Sequence, residues 1–369
     1  MPQEFEIGPI RPPSEAESLL LRITRNCPWN KCKFCTIYKK QKFSVRPIEE
    51  IKADIDQVAQ YSDNIRNGII KSLRELPEDT AERYLYIMRW MAGGKESVFL
   101  QDANTMVLSF DKLREILLYL REKLPQVKRV TTYGRVDSLD RFTAEQLAQL
   151  KEAGLDRIHS GYESGSDKVL ALLNKGYTKA QGIEAGRKVK ASGIELSVYY
   201  MPGSGGKGLR DENAAETADV INKVNPDFVR IRTFVPQLGT EVLDDISSGL
   251  REECTDMEKC LELKSMIEHI DGADGYLFSD HIINLLENVN GNMKTDKGKM
   301  LSVFEAFESM DAVERRMFQI ARRMGMVGFP EQMELLSGDQ REKAGALQSQ
   351  FMSEDEFEAF LLRLLRRFI

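Results

Sequence analysis

The strongest constraint on the fold is a repeated alternation of short apolar runs with longer amphipathic stretches. Strand-length runs rich in β-branched and aromatic residues occupy residues 18–24, 97–101, 129–133, 157–159, 195–201 and 228–234. Between them, apolar residues recur at helical spacing over residues 110–120, 143–154, 178–193 and 212–222. Such alternation implies parallel strands joined by right-handed helical crossovers. The sequence therefore predicts an α/β fold, a partial (β/α)6 TIM-like barrel with its chemistry at the carboxyl ends of the strands.

Two regions depart from this rhythm and set the predicted domain boundaries. Residues 47–94 are long for one crossover and predict a helical insertion after the first strand. Strand signals disappear after residue 241, and helices are predicted at residues 254–270, 296–310, 311–324 and 354–369. We therefore expect three regions: an N-terminal extension over residues 1–16, the barrel over residues 17–245 and a helical C-terminal region over residues 246–369.

The charge balance narrows the possible classes of function. The 369 residues include 52 basic and 58 acidic side chains, and this net charge of −6 argues against a protein that mainly coats nucleic acid. No apolar run approaches the ~20 residues that span a membrane. Residues 1–15 lack the basic flank and apolar core of a signal peptide. We expect a cytoplasmic protein with no membrane partner.

Three of the five cysteines lie in one short segment, at Cys27, Cys32 and Cys35. An odd number of cysteines without an export signal argues against a disulfide framework. Three soft thiolates suit zinc or an iron–sulfur cluster. Structural zinc needs a fourth ligand, which a distant residue such as His159 would have to supply. A four-iron cluster on three cysteines instead keeps one iron open for chemistry.

The cysteine segment resembles that of the radical S-adenosylmethionine (SAM) superfamily. Four and then two residues separate the cysteines, and aromatic Phe34 precedes the last one. The commonest spacing in that superfamily is three and two, so this chain departs from it by one residue. The pattern is similar to elongator-like and oxygen-independent coproporphyrinogen-oxidase-like members. The resemblance implies a [4Fe–4S] cluster on Cys27, Cys32 and Cys35, and reductive cleavage of SAM to a 5′-deoxyadenosyl radical that abstracts hydrogen from a substrate.

Polar residues after the second and third strands extend the resemblance. Asp102 and Asn104 stand where the family meets the methionine amino group of SAM, although the glycines of the family motif are missing. The alternative is a strand end capped by turn-forming residues. Arg135 follows the third strand, and its guanidinium fork suits the SAM carboxylate. The alternative for Arg135 is a solvated surface residue.

A glycine- and serine-rich segment follows the fourth strand. Residues 160–170 resemble a SAM-holding segment of the family, which implies that Gly161, Glu163 and Ser164 contact SAM. Glycine permits close approach of a ligand, and the N-terminus of a following helix offers free N–H groups.

Two later turns complete the resemblance. Residues 200–206 are similar to the family's glycine-rich turn near the adenine, which implies a SAM contact at Gly203. Residues 234–241 resemble its Pro…Gly-Thr turn. Together the matching motifs span residues 17–245.

The C-terminal region offers further candidates. His281 is a candidate proton donor or acceptor, with a structural histidine as the alternative. We expect residues 279–291 to cover the barrel mouth, because an open mouth would admit water and oxygen. Cys254 and Cys260 are expected to be ordinary residues on different faces of a helix. The basic terminal helix is expected to be a solvated amphipathic face, with nucleic acid or a partner as the alternative.

The resemblance thus implies a radical SAM enzyme that works at low oxygen with an electron donor such as flavodoxin or ferredoxin. A small-molecule substrate is favoured over RNA, because the chain is acidic and has no recognisable RNA-binding appendage. Two alternatives stay open, namely an RNA-modifying radical SAM enzyme and a non-catalytic carrier of a cluster or haem. Formation of 5′-deoxyadenosine under reducing conditions would separate an enzyme from a carrier.

Overall fold

Short strands alternate with helices along the chain. The structure is a computed structural model that describes residues 4–93 and 96–368. The strands are β1 (Leu19–Arg22), β2 (Thr24–Arg25), β3 (Ser44–Val45), β4 (Ser97–Gln101), β5 (Arg129–Tyr133), β6 (Leu155–Glu163), β7 (Glu195–Tyr200), β8 (Phe228–Ile231), β9 (Tyr276–Phe278) and β10 (Asn290–Asn292).

Helices account for most of the remaining chain. They are α1 (Ile48–Arg66), α2 (Glu78–Ala92), α3 (Phe110–Lys123), α4 (Val136–Leu139), α5 (Ala144–Glu152), α6 (Asp167–Leu172), α7 (Lys179–Ala191), α8 (Arg210–Val224), α9 (Glu241–Ser247), α10 (Asp256–His269), α11 (Lys297–Glu308), α12 (Ala312–Arg323), α13 (Gly338–Gln348) and α14 (Glu354–Leu365). Within the described residues, none of these helices has the length and apolar character needed to cross a membrane.

The first of two compact units comprises the residues up to Asn30, Tyr38–Ser160 and Ala185–Leu196. In it β1 pairs with β4, β4 with β5 and β5 with β6, all parallel, whereas β2 and β3 pair antiparallel. Every residue of β4 is buried, which is typical of a parallel strand covered on both faces. Helix α1 buries Ile51, Ile55 and Val58 on one face, as its helical spacing requires.

The second compact unit comprises Lys31–Ile37, Gly161–Glu184 and the residues from Ser197 onward. In it β7 pairs parallel with β8, β8 parallel with β9, and β9 antiparallel with β10. Helix α10 begins with a capping box, in which the Thr255 side chain accepts from the N–H of Glu258 and the Glu258 side chain accepts from the N–H of Thr255. The unit therefore combines the last parallel strands with the C-terminal helices.

The predicted α/β class is confirmed. The six expected strands are β1 and β4 to β8, α1 and α2 form the helical insertion, and the C-terminal region is mainly helical. The expectation that strands end after residue 241 was wrong, because β9 and β10 form a short antiparallel pair. Strand β10 reads Asn-Gly-Asn, residues with low strand propensity, so its backbone pairing leaves no sequence signal. The predicted domain boundaries stay a prediction.

Candidate functional site

In the first unit, two asparagines hold the backbone around Cys27. Asn26 and Asn30 both have positive φ (67° and 48°), a conformation that asparagine tolerates better than most residues. Their amide groups donate to the carbonyls of Lys42 (2.7 Å) and Tyr38 (2.6 Å). The backbone N–H of Asn30 lies 3.4 Å from the sulfur of half-buried Cys27.

The same loop rests on the fully buried carboxylate of Asp102, which follows β4. Its Oδ2 accepts from the Arg22 guanidinium (2.6 and 3.1 Å) and from the N–H of Asn26 (3.1 Å). Its Oδ1 accepts from the Tyr38 hydroxyl at 2.7 Å, and burial together with the negative charge of Asp102 raises the pKa of that tyrosine. Asp102 therefore anchors the Cys27 loop, while its predicted contact with SAM stays a prediction.

Asn104 and Arg135 are brought together in the same unit. Asn104 is buried, donates to the Ser138 hydroxyl at 2.7 Å and accepts from the backbone N–H of Arg135 at 3.1 Å. The Arg135 side chain is only 10% exposed and lies 5.3 Å from the ring of Trp29, a cation–π contact. The alternative of a solvated surface arginine is therefore wrong. Trp29, between Cys27 and Cys32, was missed by sequence reasoning.

In the second unit, the loop with Cys32 and Cys35 packs against the end of α6. The N–H of Lys33 donates to the Leu173 carbonyl at 3.0 Å, and the Lys33 ammonium pairs with Asp245 at 2.8 Å. Phe34 packs against an apolar cluster formed by Val169, Leu173, Met201, Phe234 and Val242. Cys32 is buried and Cys35 half-buried. The aromatic residue of the motif is thus the apolar anchor of this part of the loop.

Glu163 ends β6 in a left-handed conformation, with φ of 61°. Its carboxylate lies 3.3 Å from the ammonium of Lys175, which is 4% exposed and lies 5.7 Å from the Phe34 ring. A Cβ on Gly161 would stand 2.3 Å from Glu163 Oε1, so the Glu163 carboxylate would have to shift if residue 161 carried a side chain. Lys175 was missed by sequence reasoning, because its pairing with Glu163 appears only in the fold.

Ser164 and Gly203 meet one buried hydrogen-bond network, which we call the Glu262 hub. Its members are Glu262, Tyr200, Gly203, Asn213 and Ser164. Glu262 accepts from the Tyr200 hydroxyl (2.7 Å), the Gly203 N–H (2.8 Å) and the Asn213 amide (2.7 Å). The Asn213 side-chain oxygen accepts from the Ser164 hydroxyl. Burial raises the pKa of Glu262 to about 7. Glu262 was missed by sequence reasoning because it reads as an ordinary residue of α10.

His281 lies in the connection between β9 and β10. Burial and the positive charges of Arg232 and Arg322 lower its pKa to about 4, partly opposed by Asp280. Its Nδ1 lies 3.3 Å from the N–H of Ile283, which suits an acceptor nitrogen. A neutral imidazole can accept a proton but is a poor source of one near pH 7. A catalytic role for His281 stays a prediction.

Two arginines of α12 hold the backbone of residues 281–284. Arg322 donates to the carbonyls of Ile282 (2.6 Å) and Asn284 (2.8 and 2.9 Å). Arg323 donates to the Ile283 carbonyl at 2.9 Å and forms a buried ion pair with Asp256. This part of the connection is therefore fixed by charged donors on its main chain.

The remaining candidates have structural surroundings. His159 is fully buried, with Nε2 3.3 Å from Glu15 Oε1, which gives it a partner other than a metal. Cys254 and Cys260 are buried, and burial raises the pKa of Cys254 to about 12. Cys254 precedes α10, so the expectation that it lies on this helix was wrong. Within residues 4–93 and 96–368, no three cysteine, histidine or acidic side chains are gathered closely enough to hold a metal ion.

Comparison with known proteins bears on the family. The model of the radical SAM superfamily matches residues 21–221, more than half of the chain. The chain belongs to the radical SAM superfamily. Members of this superfamily are enzymes that use a [4Fe–4S] cluster and SAM. Iron–sulfur proteins hold such clusters through cysteine thiolates, so the residue types of Cys27, Cys32 and Cys35 suit one. Within the described part of the chain, the structure does not gather these three thiols into a metal-binding group.

Curated relatives of this radical SAM chain are considerably longer than the chain itself. The tRNA-2-methylthio-N(6)-dimethylallyladenosine synthase of Syntrophus aciditrophicus is 22% identical over 306 residues, covering 80% of the chain and 60% of the relative. The 4'-phospho-dehydrooxetanocin synthase of Priestia megaterium is 26% identical over 307 residues, covering 80% of the chain and 36% of the relative. The radical SAM chain thus spans between about a third and three fifths of their length.

Solved structures also match this chain at low sequence identity. The archaeal Elp3 of Methanocaldococcus infernus matches with a TM-score of 0.43 and 16% identity, covering 62% of this chain and 58% of its own. The coproporphyrinogen III oxidase HemN of Escherichia coli matches with a TM-score of 0.44 and 13% identity, covering 68% and 51%.

Proposed function

We propose that this chain is a radical SAM enzyme in which Cys27, Cys32 and Cys35 hold a [4Fe–4S] cluster. When bound, the cluster supplies one electron for cleavage of SAM into methionine and a 5′-deoxyadenosyl radical, which abstracts hydrogen from the substrate. The observation that carries the proposal is the loop of three thiols inside residues 21–221, the region that matches the family.

The chain's own residues have defined tasks in this proposal. Asp102 fixes the loop of Cys27, and Phe34 anchors the loop of Cys32 and Cys35 in an apolar cluster. Both contacts hold soft ligands on a fixed backbone, which a metal centre requires. The ion pair between Glu163 and Lys175 offers a carboxylate and an ammonium, which complement the amino-acid end of SAM.

Anaerobic reconstitution tests the proposal. We expect about four irons per chain, and loss of most iron in Cys27→Ala, because three cysteines are the ligands. Cys260→Ala is the matched control, since it removes a buried thiol elsewhere. Given dithionite and SAM, wild-type protein should slowly form 5′-deoxyadenosine. Zinc without sulfide would favour the zinc alternative, and a full cluster without 5′-deoxyadenosine would favour the carrier.

For the substrate, we propose a small molecule rather than RNA. The net charge of −6 opposes a polyanion, although one relative is named for a tRNA modification and another for a phosphorylated small molecule. Binding of labelled bulk tRNA at 150 mM salt separates the two classes. Saturable binding that weakens steeply as salt rises would favour the RNA alternative.

For the electron donor, we propose an acidic protein such as flavodoxin or ferredoxin. Residues 18–48 contain eight basic and no acidic side chains, in a chain that is acidic overall. Lys40 and Lys42 are exposed, and the amide of Asn26 holds the Lys42 carbonyl, so this stretch is fixed alongside Cys27. Positive charge at this place steers an acidic partner toward the cysteine loop.

Charge reversal tests the donor surface. The double variant Lys40→Glu/Lys42→Glu should slow 5′-deoxyadenosine formation with flavodoxin by about tenfold or more at low salt, because charged patches act mainly on association rate. The rate with dithionite should not change. Lys112→Glu, an exposed lysine on α3, is the control. Equal slowing with both reductants would contradict the docking surface.

We also propose that residues 279–291 help to cover the substrate chamber. Asn284 accepts from the N–H of Thr233 at 3.0 Å and donates to the Ile231 carbonyl at 3.1 Å, at the carboxyl end of β8. Ile283 packs in a buried apolar cluster with Val235 and Leu365. Strand carboxyl ends are where such folds hold their chemistry. Replacing exposed Ile282 with Asp should then alter substrate turnover without changing iron content.

A further inference from the structure

The Glu262 hub lies under the segments of Ser164 and Gly203, for which the family resemblance predicts contacts with SAM. Glu262 is 1% exposed, and its three donors are Tyr200, Gly203 and Asn213. Tyr200 and Gly203 belong to the turn at the end of β7. Asn213 is also fully buried, and its side-chain oxygen accepts a hydrogen bond from the Ser164 hydroxyl. One carboxylate therefore joins both segments.

Helix α10 and the residues before it also pack closely against the Gly203 turn. Gly203 has φ of 87°, and a Cβ there would stand 2.7 Å from the Lys259 side chain. Lys259 is 2% exposed, and its ammonium lies 3.3 Å from Glu253. Arg251 donates to the Ser204 carbonyl at 2.6 Å. The turn is thus held through its backbone from one side by residues 251–262.

This arrangement costs free energy that the fold alone does not require. Glu262 accepts only from neutral groups, and a buried carboxylate without a cationic hydrogen-bond partner is less stable than apolar packing of the same volume. Burial accordingly raises the pKa of Glu262 to about 7. What the carboxylate provides is geometry, because it fixes a backbone N–H and an asparagine amide at once.

We propose that Glu262 is a positioning residue for SAM. It fixes the Gly203 turn directly and the Ser164 segment through Asn213. The binding of SAM then depends on α10, which lies outside the residues 21–221 that match the family. This inference rests on the proposed function, since it concerns two segments that are predicted to contact SAM.

The isosteric variant Glu262→Gln tests the inference. The glutamine oxygen can keep the contacts with Tyr200 and Asn213, but its NH2 then faces the N–H of Gly203, donor against donor. Loss of a hydrogen bond to a charged acceptor should raise the Kd for SAM about tenfold or more. We expect iron content to be unchanged and 5′-deoxyadenosine formation to recover at saturating SAM. If Glu262 had a purely structural role, iron content and 5′-deoxyadenosine formation at saturating SAM would both fall.

A second buried carboxyl provides the matched control. Glu358 is 6% exposed, its pKa is also raised to about 7 by burial, and it accepts from the N–H of Asp256 rather than from the Gly203 turn. Glu358→Gln should bind SAM as the wild type does. If Glu262→Gln does not fold, Glu262→Asp keeps the charge but withdraws it from the turn, and should weaken SAM binding similarly.

The outcomes separate this inference from the proposed function. Wild-type affinity for SAM in folded Glu262→Gln or Glu262→Asp would overturn the positioning role. Equal weakening in Glu358→Gln would also overturn it, because the effect would then follow from any lost buried charge. Failure of the cluster-loaded wild type itself to bind SAM would instead contradict the proposed function.

Discussion

Each compact unit buries one carboxylate beneath a loop with predicted ligand residues, but the two are satisfied differently. In the first unit, Asp102 meets the guanidinium of Arg22 as well as neutral donors. In the second unit, Glu262 meets neutral donors only. A guanidinium compensates a buried negative charge, whereas neutral dipoles compensate it incompletely.

The difference shows that burying a carboxylate beneath a loop has a different free-energy cost in each unit. The Cys27 loop is held by an ion pair between Asp102 and Arg22. The Gly203 turn is held by a carboxyl whose proton affinity is raised by burial, with its pKa at about 7. Mutation should therefore weaken the Asp102 anchor, whereas the Glu262 anchor should respond to pH as well as to mutation.

The largest effect is expected from removal of the ion-paired anchor. Asp102→Ala leaves the Arg22 guanidinium, whose side chain is 16% exposed, with Glu6 as its remaining carboxylate partner. Loss of this pair together with the hydrogen bonds from Tyr38 and Asn26 should cost about 3 kcal/mol or more, which urea denaturation of cluster-free protein would measure. Asp137→Ala removes a 38% exposed carboxylate from Arg135 and should cost less than about 1 kcal/mol. Similar losses in both variants would break the comparison.

A matched pair of tyrosine variants tests the difference between Asp102 and Glu262 more finely. Tyr38→Phe and Tyr200→Phe each remove one hydroxyl donor from a buried carboxylate. Each should lower the free energy of unfolding by about 1.5–3 kcal/mol when the acceptor is ionised. At pH 8 Tyr200→Phe should lose more unfolding free energy than Tyr38→Phe, because Glu262 has no cation among its remaining donors. At pH 6 the loss in Tyr200→Phe should be smaller. A Tyr200→Phe loss that is the same at both values would contradict the difference.

The last expected effect is a slope in stability with pH, which is spread over the range between the two pKa values of Glu262. The pKa of Glu262 rises from 4.5 to about 7 on folding, so the folded protein keeps a proton that the unfolded chain releases between these values. This contribution to stability is complete below pH 4.5 and is lost as the pH rises through 7, by at most about 1.4 kcal/mol per pH unit. Glu262→Gln lacks this loss. The stability of Glu262→Gln relative to the wild type should therefore improve from pH 5 to pH 8, as measured by urea denaturation. If the free energies of unfolding of the two proteins changed equally with pH, Glu262 would not be the group responsible.

The alternation of strands and helices could be predicted because each element leaves a local pattern. Helix α5, for example, has a Thr143 cap and a glycine just after its end. Strand β10 could not be predicted, because Asn-Gly-Asn becomes a strand only through pairing with β9. The same limit applies to Cys254, whose place before α10 depends on the capping box at Thr255.

The candidate site was predictable where a contiguous motif marks it. Cys27, Cys32 and Cys35 and the segments of Glu163 and Gly203 are of this kind. Their supports were not predictable, because Tyr38 lies 64 residues from Asp102 and Glu262 lies 59 residues from Gly203 along the chain. Contacts at such separations are created by tertiary packing and have no local sequence signal.

The arginines of α12 have a consequence for how this protein can diversify. Arg322 and Arg323 donate to the carbonyls of residues 282–284, and a carbonyl is present whatever side chain the residue bears. The course of residues 282–284 is therefore insulated from changes in the exposed side chains of this connection. Exposed positions such as Asp280 and Ile282 can be replaced, in natural descent or in a mutant library, on a backbone that keeps its shape.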